Sequence, residues 1–151
     1  MFSKLSVVFL LLITPLTSWS AYDSAKIKNG LSENNRLFLI DSWNKSAHKP
    51  TWAAATQIKL GSIEVGDDQT EISSPYINFK QKNIAKERCN ALAQIALAPA
   101  SNEEKKQITA TINASTVRHI IKYVDFKGLR FEIEPIMRGV FVRLHCRIKP
   151  I

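Results

Sequence analysis

The chain has only two cysteines, three histidines and five glycines, and each scarcity argues against some chemistry. No Cys-x-x-Cys occurs, which argues against a thioredoxin-like redox pair. Two cysteines, with His48, His119 and His145, show no zinc-ligand spacing, so no metal and no other cofactor is expected. Gly-x-Ser-x-Gly, His-Glu-x-x-His, the phosphate loop and the dinucleotide fingerprint are all missing. No catalytic residue is therefore assigned, and the chain reads as a non-enzyme. Acidic residues are also few: 13 Asp and Glu stand against 21 Lys and Arg, a formal charge of +8. Beyond the first 20 residues, no hydrophobic run approaches the ~20 residues that cross a bilayer. Stable membrane insertion is not expected.

The one long apolar run is at the start. Lys4 supplies a positive n-region, Leu5 to Ile13 an apolar core, and Pro15 a break. Ser18-Trp19-Ser20 before Ala21 sets small residues at the −3 and −1 positions of a cleavage site. Residues 1–20 are read as a cleaved signal peptide, which makes the protein periplasmic or secreted, with the periplasm favoured. No cysteine stands at the cut, so lipid attachment there is not expected. The remainder has room for one domain, assigned to residues 36–151, after a polar flexible arm at 21–35.

The positive charge is concentrated late in the chain. Residues 117–149 hold Arg118, Lys122, Lys127, Arg130, Arg138, Arg143, Arg147 and Lys149 against Asp125, Glu132 and Glu134. A basic surface attracts anionic partners. Export argues against nucleic acid, leaving a cell-envelope protein with an acidic face. The oligomeric state is left open.

Pattern and punctuation assign the elements. Ser32 is read as the cap of a short helix in the Arg36 to Trp43 region. Ile58 and Leu60 alternate with polar residues, and Ile63 and Val65 continue one position out of phase across Gly61. This reads as one strand with a β-bulge. Gly66 to Gln69 is a turn into Thr70-Glu71-Ile72. Asp67, Asp68 and Glu71 lack the spacing of a calcium loop. Ser74-Pro75 starts a helix that ends before Pro99, with Ala85, Cys89, Leu92, Ala93 and Ala96 on its apolar stripe. Ser101 and Glu104 form a capping box for a turn or two of helix, which yields to a strand at Gln107 to Ile112.

A strand at Ile121 to Phe126 turns through Lys127-Gly128 into two amphipathic strands joined near Pro135 to Arg138. Leu129, Phe131 and Ile133 form the apolar face of one, and Val142, Leu144, Cys146 and Ile148 that of the other. The expected register sets Ile133 against Val142, Phe131 against Leu144 and Glu132 against Arg143. Cys89 on the helix stripe and Cys146 on the strand's apolar face point into one core, so they are expected to be disulfide-bonded. The fold class follows: α+β, one long helix on a mainly antiparallel sheet, stapled to its last strand.

The outward face of the last hairpin is the candidate binding surface: Arg130, Phe141, Arg143, His145, Arg147 and Lys149, with Glu132 among them. Guanidinium forks suit carboxylates and phosphates. Glu132 and Glu134 share a strand face at about 7 Å, a separation that glycoside hydrolysis tolerates, yet a charged strand explains them more simply. Trp43 and Trp52 are a second candidate surface. The reading is an exported binding protein, an accessory subunit of an envelope assembly such as a pilus or secretion apparatus. Its rivals are a periplasmic inhibitor or immunity protein and a small secreted hydrolase.

Overall fold

The computed structural model describes residues 22–47, 53–57, 61–78, 82–115 and 120–151. Residues 1–20, expected from the sequence to be a signal peptide, and His48, Trp52, Ile58, Leu60 and His119 lie outside them. The fold is α+β: eight antiparallel strands form one sheet in the order β1-β2-β3-β4-β8-β7-β6, with β5 also paired to β8. The strands are β1 (Asn44–Lys45), β2 (Ala53–Gln57), β3 (Gly61–Val65), β4 (Thr70–Ser73), β5 (Ile77–Asn78), β6 (Lys122–Phe126), β7 (Leu129–Arg138) and β8 (Phe141–Pro150).

Instead of the one long helix expected from the sequence, four occur among the described residues: α1 (Ser24–Glu33), α2 (Asn35–Phe38), α3 (Asn83–Ala96) and α4 (Asn102–Ala114). The supposed arm is α1, capped by Asp23, whose carboxylate accepts from Lys26 N at 2.9 Å. Only Ile27 and Leu31 of it are buried. That single i, i+4 pair is too faint a stripe to stand out in a polar sequence. Ser32 caps nothing; its hydroxyl donates to Lys28 O, and Asn34 precedes α2.

The apolar stripe of α3 is as expected, with Ala85, Cys89, Leu92, Ala93 and Ala96 buried. Cys89 is bonded to Cys146 on β8, Cα to Cα 5.7 Å. α1 and α4 flank α3, and α4 also reaches β6 and β7. The capping box at Ser101 and Glu104 is present. It opens thirteen residues of helix, so Gln107 to Ile112 is α4 and not a strand. Ile108 and Ile112 are buried at helical spacing, and their alternation with polar neighbours served either period.

The expected bulge at Gly61 is a reversal of direction. Gln57 pairs with Gly61 and Ala53 with Val65, so two strands stand where one was read. Gly61 has φ +91°, and a Cβ there would overlap the Ser73 carbonyl oxygen. The turn at Gly66 is as read, with Gly66 N donating to Gln69 O at 2.9 Å.

A bulge does occur, at Ser74. β4 pairs Ser73 with His145, whereas β5 pairs Ile77 with Val142, so this side carries one residue more than β8. Ser74-Pro75 therefore starts no helix. Ser74 N donates to Leu144 O at 2.9 Å, and Leu144 N donates back to Ser74 Oγ at 2.9 Å. The hydroxyl supplies the acceptor for Leu144 N at the bulge.

The β7–β8 register is displaced by four residues from the expected one. Ile133 faces Cys146, Phe131 faces Ile148 and Glu132 faces Arg147. The turn is Gly139-Val140, with Gly139 at φ +61°, a conformation glycine adopts without a Cβ penalty. Pro135 stays within β7 where that strand has outrun β6, whose first residue, Lys122, faces Ile133. A shift of four preserves both the faces and an acid–base pairing, so neither criterion separates the two registers. Among the described residues no helix is long and apolar enough to cross a membrane.

Candidate functional site

The helices cover one face of the sheet, and the other carries the charged side chains. Burial alternates along β8, where Val142, Leu144, Cys146 and Ile148 are buried and their neighbours are not. All six expected binding residues lie on the opposite, outward face, across β7 and β8. Their environments divide them into two groups.

One group is neutralised. Arg147 Nε contacts Glu71 Oε1 at 3.1 Å, and its Nη1 contacts Glu132 Oε2 at 3.2 Å. Lys149 Nζ reaches Glu132 Oε1 at 2.7 Å. Arg130 forms a two-pronged bond to Asp125, both distances 2.8 Å, and lies 4.3 Å from the centre of the Tyr123 ring. Hydrogen bonding from Arg130 holds the Asp125 carboxyl below its ordinary range, and the same bond raises the guanidinium. These side chains form an ion-pair ladder across β4, β8, β7 and β6.

His145 belongs to this group. Its Nδ1 is 2.8 Å from Ser73 Oγ, and its Nε2 is 3.4 Å from Arg147 Nη2. His145 thus bridges Ser73 and Arg147 along this face. His145 and Cys146 project from opposite faces, as the strand alternation predicts.

The second group is unneutralised. All 13 acidic residues are among those described, and none lies within ion-pair distance of Arg138 or Arg143. Arg143 stacks on Tyr76, 4.4 Å from the ring centre, and its Nε is buried with no hydrogen-bond acceptor among the described residues. Tyr76, Arg138, Gly139, Val140 and Phe141 line an open concavity of about 610 Å³. Val140 is 68% exposed, Phe141 47% and Tyr76 37%.

The hairpin end thus adds Tyr76, Arg138 and Val140, none of which belongs to the sequence-assigned surface. Tyr76 fell inside the expected helix and Arg138 inside the expected connection, so no local signal marked either. Trp43 packs against the core, its indole donating to Ser32 Oγ at 2.9 Å. Asp67 and Asp68 sit exposed at the β3–β4 turn, apart from Glu71 in the ladder. Among the described residues no group of three His, Cys, Asp or Glu is placed to hold a metal. Comparison with protein families, characterised proteins and solved structures finds no match for the chain.

Proposed function

We propose that the chain is an exported, non-enzymatic binding protein, released by cleavage between Ser20 and Ala21. In this reading it serves in the bacterial periplasm as an accessory subunit of an envelope assembly, such as a pilus or secretion apparatus. The observation that supports it most is the outward hairpin face. Its basic residues are satisfied internally along the ladder, and they give way at the tip to exposed Val140 and Phe141 beside arginines without counter-ions. Exposed aromatics beside arginine are the composition of protein-binding hot spots.

A narrower form of the reading rests on the shape of that tip. A two-residue turn ending in an exposed Val140 suits insertion into a cleft, as an inhibitor or immunity protein would do. The two forms differ in what the partner loses on binding.

The test is capture from a native cell envelope, followed by rebinding of the purified partner at defined stoichiometry. Rebinding that fails for Arg143→Glu, with the melting curve unchanged, supports the reading. Rebinding indifferent to every substitution on this face sinks it. Inhibition of an enzymatic activity of the partner selects the inhibitor form. Terminal mass analysis of the exported protein checks the cleavage, which predicts a chain beginning at Ala21.

A further inference from the structure

The outward face does not offer its charge evenly, and the unevenness specifies a ligand. Arg130, Arg147 and Lys149 already hold carboxylates from Asp125, Glu71 and Glu132. A partner's acid would have to displace those bonds, at no net gain in charge pairing. Arg138 and Arg143 have no such competitor, and the Arg143 guanidinium carbon lies over the Tyr76 ring, 4.4 Å from its centre. A guanidinium over a ring keeps its other N–H donors for an acceptor, and Nε has no acceptor among the described residues.

Arg138 lines a concavity with apolar walls from Val140, Phe141 and the Tyr76 ring, and Arg143 adjoins it through Tyr76. A free phosphate would satisfy the arginines and leave those walls in water. An anionic bilayer is broad and would also lie against the ladder, whose cations already hold carboxylates, and against Glu134 on the same face. A short protein segment avoids both objections, because its footprint is confined to the tip and it brings apolar and anionic groups together. Its size also suits the space, since pockets of 300–1,000 Å³ hold a few side chains.

We propose that the hairpin tip formed by Tyr76, Arg138, Val140, Phe141 and Arg143 is the docking site. Its ligand is a partner-protein segment presenting a carboxylate beside an aromatic or large aliphatic side chain. The carboxylate engages Arg143 and Arg138, and the apolar side chain packs on Phe141 and Val140. This inference rests on the binding reading above and narrows it to one end of the face.

A random peptide library displayed on phage, panned on the purified disulfide-bonded protein, supplies the probe. Selected peptides should share an Asp, Glu or C-terminal carboxylate next to an aromatic, Leu or Ile. In fluorescence anisotropy, Arg143→Gln, Arg138→Gln and Phe141→Ala should each weaken the best peptide about tenfold or more. Exchanging the peptide's carboxylate for an amide should do the same. Lys105→Gln, exposed on α4 on the other side of the sheet, should leave the affinity unchanged. Arg143→Lys keeps the charge, so its expected loss of affinity separates forked recognition from simple attraction.

Basic or purely apolar consensus peptides, no enrichment, or binding indifferent to the three tip substitutions would overturn the site. So would Arg143-dependent co-flotation with phosphatidylglycerol vesicles in the absence of a peptide consensus, which assigns the tip to lipid. A purified envelope partner that rebinds through Arg147 or Lys149 while ignoring the tip overturns this site alone and leaves the wider binding reading standing.

Discussion

Tyr76 lies across from Arg143, its ring centre 4.4 Å from the guanidinium, because the β4–β5 side carries one residue more than β8. Continuing the β4 register past Ser73 would set Tyr76 opposite Val142, on the buried face. The bulge at Ser74 moves it one position, onto the outward face with Arg143 and Phe141. A single hydroxyl, accepting from Leu144 N, thus holds the geometry on which the tip depends.

Ser74→Ala removes that acceptor from a buried N–H while leaving the backbone free to stay in place. The expected loss is about 1–2 kcal/mol of unfolding free energy, read from urea denaturation. Peptide binding at the tip should weaken in the same variant. Unchanged stability would mean that the bulge holds without the hydroxyl.

Gly61→Ala and Gly139→Ala make a matched pair. Both positions have positive φ, but an added Cβ meets the Ser73 carbonyl at Gly61 and nothing within 4 Å at Gly139. The second should lose about 1 kcal/mol from conformation alone. The first should lose about 2 kcal/mol or more, because backbone must also move. Equal losses in thermal melts would contradict the close β3–β4 approach at Gly61.

Cys89 and Cys146 are both buried and close a long loop, so the bridge restricts the unfolded chain strongly. Replacing both by Ala should cost about 4 kcal/mol in the loop-entropy account. Titration of the native, unreduced protein with a thiol reagent under denaturing conditions should find no free thiol. Two free thiols would refute the pairing.

Tyr22 donates to Gly66 O or shares its proton with Thr70 Oγ1, at 2.9 and 2.7 Å. Burial pushes its hydroxyl up from the usual 10.0 to about 12. The folded state therefore favours the neutral phenol. That preference contributes fully below pH 10 and is lost as pH rises from there towards 12. Stability of the parent should fall more steeply than that of Tyr22→Phe across this window, as followed by circular dichroism. Parallel curves would remove Tyr22 from the account.

Arg147 and Arg143 should separate stability from binding. Arg147→Gln leaves the half-buried Glu71 and Glu132 without their shared cation, and about 1–2 kcal/mol of stability should go with it. Arg143→Gln breaks no ion pair and should alter stability by less than about 0.5 kcal/mol. Reversed magnitudes would mean that the ladder is not the structural part of this face.

Where side chains repeat with a period that only one element can use, the elements were legible in the sequence. The α3 stripe, the Ser101 capping box, the Lys127-Gly128 turn and the alternation of β7 and β8 are of this kind. Where a segment suited two periods, or had too few apolar residues to show one, it was not. α4 and α1 are the examples. Of the site, the six outward residues were legible as a face, because alternation assigns faces. Which of them are neutralised was not, because Glu71 comes from a strand remote in sequence.

The disulfide shows what local pattern determines by itself. Cys89 and Cys146 each lie on an apolar face set by their own neighbours, so two independent periodicities lead to one core. Tertiary structure alone decided the β7–β8 register, the reversal at Gly61 and the bulge at Ser74. Alternation defines a strand only up to a shift of two, and a turn or an extra residue is selected by hydrogen bonds to distant backbone. Leu144 makes that choice for Ser74, and nothing near residue 74 in the sequence could announce it.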